Sequence, residues 1–198
     1  YLAQSNIDPT GIERWIFIYN GIGTAGSGWS NFIGLSAQKG FFLGSLVHEF
    51  GHTLGIRWHS GKWSCPVGLV GPDITSTSDG ECILGRYNDE LTPMCGWARY
   101  LSAFHQAVIG WRSPNQVINA DVSGDYTINA LESASSGVKE IRIPLGPKGY
   151  FYSLEYRQSV GFDSGITDGV VARIHFGNPE TPTADADHDG NPAEIWGW

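Results

Sequence analysis

Cations are scarce in this sequence. Twelve Lys and Arg stand against twenty Asp and Glu, which leaves a formal net charge of −8 and a pI near 5.1. A nucleic-acid binder needs a basic face to displace counterions, so the balance argues against that class of partner. Long apolar runs are missing as well. None reaches the roughly 18 residues that a membrane helix needs, and no membrane partner is expected. No charged stretch followed by an apolar one opens the chain. An exported form would therefore have shed its signal and any pro-segment, or carry them outside these residues. Cysteine is limited to Cys65, Cys82 and Cys95, with no C-x-x-C spacing for a thiolate zinc site. An odd count leaves at least one thiol over. Cys65 and Cys82 share a loop-rich stretch and are the favoured pair.

What remains is a composition suited to a packed core. Of 198 residues, 41% are hydrophobic and 13% aromatic, which excludes a disordered chain. The 27 glycines point to turns and strands rather than a helical bundle. The eight tryptophans could form a sugar-binding platform, although scattered core aromatics are the plainer reading.

Trp15–Tyr19 is a continuous apolar run and reads as a strand buried on both faces. Residues 21–30 are too glycine-rich for a helix and lead to a short strand near Asn31–Leu35. Residues 41–54 form the strongest helix. Leu43, Leu46, Val47, Phe50 and Leu54 make one apolar stripe, with His48 and His52 on roughly the opposite face. Gly44 and Gly51 are costly inside a helix and imply close approach by another backbone element. Gly55 is placed to end it in the left-handed conformation. Residues 60–92 read as a long surface loop, and long loops inside domains are usually functional. A second helix is expected over 97–109, with Trp97, Leu101, Phe104 and Val108 as its stripe. Past Trp111 the period becomes two. Strands are expected around Tyr126–Ala130, Ile141–Leu145, Tyr150–Tyr156 and Val170–Phe176, in an antiparallel sheet or small sandwich. A boundary near Ser113–Pro114 divides residues 1–113 from 114–198.

His48-Glu49-Phe50-Gly51-His52 is H-E-x-x-H. Histidines four apart on a helix project from one face and reach one ion. Zinc accepts imidazole nitrogen, and a catalytic site keeps one of its four positions for water. The metal lowers the pKa of that water to about 7, and Glu49 is placed to take its proton and pass it to a leaving amine. Such a motif arises by chance in on the order of one chain in a few hundred of this length. The third ligand is open between His59 and two distant carboxylates, Glu81 and Glu90. In the pattern H-E-x-x-H-x-x-G-x-x-H the last position here is Trp58, which cannot ligate through its N–H. His59 follows one residue later and is favoured, because a loop after Gly55 absorbs one residue.

The segments HEFGHTLGIRWHSG, RYNDELTPMCG and YLSAFHQAVIGW together resemble the gametolysin family of metzincin zinc peptidases over roughly residues 14–112. YFYSLEYRQSVGFDSG extends the likeness more weakly into the β-rich part. The delayed third position is similar to the immune inhibitor A group, where a different ligand residue stands at a comparable place. The resemblance implies an α+β fold: a metzincin-like catalytic core with a mixed sheet, active-site helix, methionine turn and second helix, then an antiparallel β-rich region. It implies a secreted, extracellular endopeptidase acting on protein or peptide substrates, with Met94 shaping the floor of the site. It also implies that Gly26–Leu35 supplies an edge strand, on which a substrate chain could pair.

Asp185, Asp187 and Asp189 alternate ahead of Gly190 as in a calcium loop, although Trp196 stands where the pattern wants glutamate. Calcium is thus a second candidate cofactor beside zinc. Tyr100 could donate to a developing oxyanion, but a core or rim tyrosine is the plainer reading. His105 reads as a packed or hydrogen-bonded histidine. His175 is placed on the polar face of a strand with Arg173, and His188 as a solvated residue of the acidic loop. The rival to a peptidase is an extracellular glycan- or protein-binding module with a structural zinc. It requires a fourth protein ligand.

Overall fold

The computed structural model describes residues 11–20, 26–29, 31–38, 42–56, 59–64, 83–86, 89–145, 150–175 and 195–197. Three strands form a mixed sheet: β1 (Trp15–Tyr19), β2 (Gly26–Trp29) and β3 (Phe32–Ser36). The order is β1-β3-β2, with β1 parallel and β2 antiparallel to β3. β1 is the strand its apolar run predicts, but it is not buried on both faces. Ile16 and Ile18 are 53% and 62% exposed. A continuous apolar strand is covered twice when it sits centrally between layers. Here β1 pairs with β3 alone among the described residues, and the helix layer lies over β2 and β3. Ile33 and Leu35 of β3 are the residues that become core.

That helix, α1 (Leu43–Thr53), matches its expected range to within two residues. Gly55 follows at φ 100°, where a side chain would be strained, and α1 ends there. The apolar stripe is the less covered side. Leu43 and Phe50 are exposed, whereas Gly44, Ser45, Glu49, Gly51 and Thr53 are buried. The two helical glycines explain the choice. A Cβ on Gly44 would strike the carbonyl oxygen of Gly96, and one on Gly51 would lie 2.8 Å from the Met94 sulfur. Only the hydrogen-sized face lets α1 approach the segment around Met94 so closely. Thr53 is tied down on the far side, its hydroxyl donating to Phe50 O at 2.8 Å and accepting from Arg14 Nε at 3.1 Å.

Met94 sits in a single 3-10 turn, Pro93–Cys95, entered through Thr92 and left through Gly96 at φ 84°. The second helix, α2 (Ala103–Val108), is shorter than its apolar spacing predicts. Residues 97–102 stay irregular for a physical reason. The Ser102 hydroxyl accepts from His105 N and caps the helix there. Upstream, the backbone of Tyr100 is bonded to Asp163 and Arg157 rather than to a helical neighbour. Leu101 and Phe104 are buried, while Trp97 is exposed. Ile56, Met94, Leu101, Phe104 and Phe151 make one apolar cluster beneath α1.

The second sheet has seven strands: β4 (Ser60–Ser64), β5 (Ile83–Arg86), β6 (Val117–Asn119), β7 (Glu140–Leu145), β8 (Tyr150–Arg157), β9 (Gly169–His175) and β10 (Ile195–Gly197). Their order is β5-β4-β10-β9-β8-β7-β6. β7, β8, β9 and β10 run antiparallel, while β6 is parallel to β7 and β10 parallel to β4. The region expected as a loop, 60–92, thus contributes two strands, β4 and β5, paired antiparallel. The alternating segment Tyr126–Ala130 is not a strand. Only Ala130 forms an isolated bridge, to Tyr156, because the Lys139 ammonium and the Ser133 turn take the Ala130 carbonyl. The seven strands come from both sides of residue 113.

The face that β8 and β9 bury is charged. Phe151, Ser153, Glu155 and Arg157 are buried, and the alternating Tyr150, Tyr152, Leu154 and Tyr156 are half-buried. On β9, Arg173 and His175 share one face as expected, but that face is inside. Arg157 pairs with Glu155 and Asp163, and Arg173 with Glu155 and Asp89. Mutual pairing is what makes such burial tolerable.

Candidate metal centre

α1 places His48 and His52 one turn apart, and the chain after Gly55 returns His59 to them. Nε2 of His52 lies 3.1 Å from Nε2 of His48 and 3.2 Å from Nε2 of His59. The three ring centroids are 4.8, 5.0 and 5.1 Å apart. Tautomers follow from the opposite nitrogens. His48 Nδ1 lies 2.9 Å from Pro93 O, and His52 Nδ1 lies 2.7 Å from Ile56 O. A carbonyl only accepts, so each Nδ1 carries the proton and each Nε2 presents a lone pair. Burial pushes the His48 imidazole down to about 4, its neighbour His52 adding to this and the Pro93 carbonyl opposing it. Burial likewise lowers His52 against the Ile56 carbonyl. Both rings are therefore neutral at pH 7, and two bare nitrogens face each other at hydrogen-bond distance with no proton between them. A cation relieves that arrangement. A tetrahedral zinc with Zn–N of about 2.0–2.1 Å sets its ligand nitrogens roughly 3.3–3.4 Å apart, close to the separations here. The residues fit the metal.

The triad is the group of metal-competent side chains found among the described residues. Glu90 is exposed and stands outside it. Glu81, Trp58, Cys65, Cys82, His188 and the calcium candidates Asp185, Asp187 and Asp189 lie outside the described residues. Cys95 is a free thiol whose sulfur donates to Ser60 O. Burial, then the Asp89 charge, push it up to about 12, so it is an unreactive packing residue at neutral pH.

Comparison with family models, with curated proteins and with solved structures returned no match. Glu49 is buried on the β2 side of α1, and a Cβ on Gly26 would come within 2.5 Å of its Oε1. The carboxylate is thus wedged against the backbone of β2, which pairs with β3 alone among the described residues. Met94 is fully buried with its sulfur against Gly51. Tyr100 packs edge-on to Phe162 at 5.3 Å, and its hydroxyl abuts Gly161, which makes it a packing residue. His105 and His175 are buried, and among the described residues neither has a hydrogen-bond partner for its ring nitrogens. His105 is therefore packed rather than hydrogen-bonded. Burial holds it down at about 3 and keeps His175 well below the usual range.

Two parts of the site carried no residue-type signal in the sequence. The carbonyls of Pro93 and Ile56 orient the imidazoles, and any residue supplies a carbonyl. The other part is Arg157, which grips the Met94 segment from a strand whose alternation singles out Tyr150, Tyr152, Leu154 and Tyr156 instead.

Proposed function

We propose that this chain is the catalytic region of a secreted zinc-dependent endopeptidase of the metzincin type. The observation that carries the reading is the pair of bare Nε2 atoms of His48 and His52 3.1 Å apart, with Nε2 of His59 3.2 Å from that of His52, beside a buried glutamate in H-E-x-x-H register. His48, His52 and His59 hold the ion. When bound, zinc supplies Lewis acidity, acidifying water and polarising a carbonyl. Glu49 accepts the water proton and delivers it to the departing amine, which is general base then general acid work. Its wedged position under β2 fixes the carboxylate without a flexible approach. β2 offers its outer edge to an extended peptide, which would pair by β-augmentation. Met94 fills the floor under Gly51. The acidic net charge of −8 supports a protein or peptide substrate over nucleic acid. Among the described residues no helix is long and apolar enough to cross a membrane.

A binding module with a structural zinc needs a fourth protein ligand, whereas the described group contains three. Glu49→Gln decides between the readings. The variant is expected to bind one zinc per chain and to lose cleavage of a denatured protein substrate by about 10²–10⁴-fold, the usual contribution of a general base. Native zinc-loaded protein that leaves such a substrate intact would refute the enzymatic role.

A further inference from the structure

We propose that Arg157, on β8, is a positioning residue of the metal centre: one guanidinium grips both ends of the Leu91–Tyr100 segment, whose Pro93 carbonyl orients His48. The inference rests on the reading of the triad as a metal centre. Arg157 is fully buried. Its Nη2 donates to Leu91 O at 2.7 Å and Tyr100 O at 3.3 Å. Its Nη1 reaches Tyr100 O at 3.4 Å and Asp163, and its Nε donates to Glu155 Oε1 at 2.9 Å. Asp163 in turn accepts from Tyr100 N at 3.1 Å. The near end is reinforced by Asp89, which accepts from Leu91 N at 3.0 Å and from Arg173 Nε at 3.1 Å.

Between those anchors the chain is irregular apart from the Pro93–Cys95 turn, so no ladder of backbone bonds fixes it. Yet it meets α1 at three points. Pro93 O faces His48 Nδ1, the Met94 sulfur faces Gly51, and Gly96 O faces Gly44. A shift of the Pro93 carbonyl turns the His48 ring and moves its Nε2. The planar fork of arginine suits the task, since it offers five donors in fixed directions and serves two carbonyls and two carboxylates together. Lysine offers three donors from one point. Groups behind a ligand typically govern metal affinity by about 10–100-fold.

The test uses the full chain with Arg157→Lys, which keeps the buried positive charge beside Glu155 and Asp163. Zinc affinity is read by competition with a chromophoric chelator, cobalt absorption reports the ligand geometry, and near-ultraviolet circular dichroism reports folding. The expected result is a folded protein that binds one zinc about 10–100-fold more weakly, with a changed cobalt spectrum at saturation. Lys139→Met is the control. Lys139 is an equally buried cation, but its partners are Ala130 O and Ser133. It is expected to lower stability and leave zinc affinity unchanged. Arg157→Lys within twofold of the native affinity, or an equal loss in both variants, overturns the proposal. If Arg157→Lys does not fold, Asp163→Asn decides by the same readouts, since it removes the carboxylate that seats the Arg157 guanidinium beside Tyr100 while keeping an oxygen acceptor for Tyr100 N. Native protein that binds no zinc sinks the metal reading itself, an outcome distinct from either result with the arginine.

Discussion

The 3.2 Å between Nε2 of His59 and Nε2 of His52 makes His59 the favoured third ligand of the proposed metal centre. Replacing His59 with Ala removes one of three nitrogen donors and leaves α1 untouched. Zinc affinity is expected to fall by more than the roughly 100-fold that outer-shell changes reach, with folding retained; titration against a chelator measures it. Unchanged affinity would transfer the third-ligand role to a residue such as Glu81. At this scale the site was partly legible in advance. His48, Glu49 and His52 are related by a single helical turn, so spacing alone places them together. His59 needed the turn at Gly55 and stayed one choice among three. The wedge of Gly26 against Glu49 was invisible, because a glycine in a glycine-rich stretch carries no mark of what it touches.

Elements show where pattern reading succeeds and where it inverts. α1 was found from its period, but the period could not say which side faces inward. The small-residue side won, because Gly44 and Gly51 let a whole backbone segment dock where leucines would hold it off. Gly44→Ala tests this. The helix gains about 1 kcal/mol of propensity, yet the new methyl group collides with a backbone oxygen that cannot rotate aside. A net loss of about 1–3 kcal/mol is expected, read from urea unfolding. A gain in stability would show that the segment yields. Gly51→Ala is expected to cost less, since its obstacle is the mobile end of Met94. On β8 and β9 alternation pointed to the tyrosine side and to the side of Val170, Ala172 and Ile174 as the apolar faces, yet the side bearing Glu155, Arg157 and Arg173 is the more buried. Burial of Glu155, Arg157 and Arg173 was settled by partners such as Asp89, 84 residues from Arg173, and no local window contains such a pairing.

Across the whole molecule, buried ionisable groups make stability depend on pH with a definite sign. Desolvation would raise Glu155, but Arg157, Arg173 and the Ala103 N–H outweigh it and bring it down to about 2. His105 titrates near 3 and His175 is also depressed, against about 6.5 in an unfolded chain. All three have folded values below their unfolded ones. Their stabilisation is thus complete above pH 6.5 and lost as pH falls, the His105 share between about 6.5 and 3, the His175 share below about 6.5, and the Glu155 share between about 4.3 and 2. Urea unfolding in the presence of a chelator is expected to weaken steadily below pH 6.5. His105→Leu is expected to make that decline shallower by up to about 1.4 kcal/mol per pH unit, the value of one proton. Parallel profiles for the two proteins would contradict this. The same network has a consequence for biosynthesis. Leu91 leaves the ribosome 66 residues before the guanidinium that grips it, an interval of about 3–13 s at ordinary elongation rates. Through that time the histidines already exist while the support behind them has not been made. On the proposed reading, a nascent chain would hold zinc poorly until the later strands arrive.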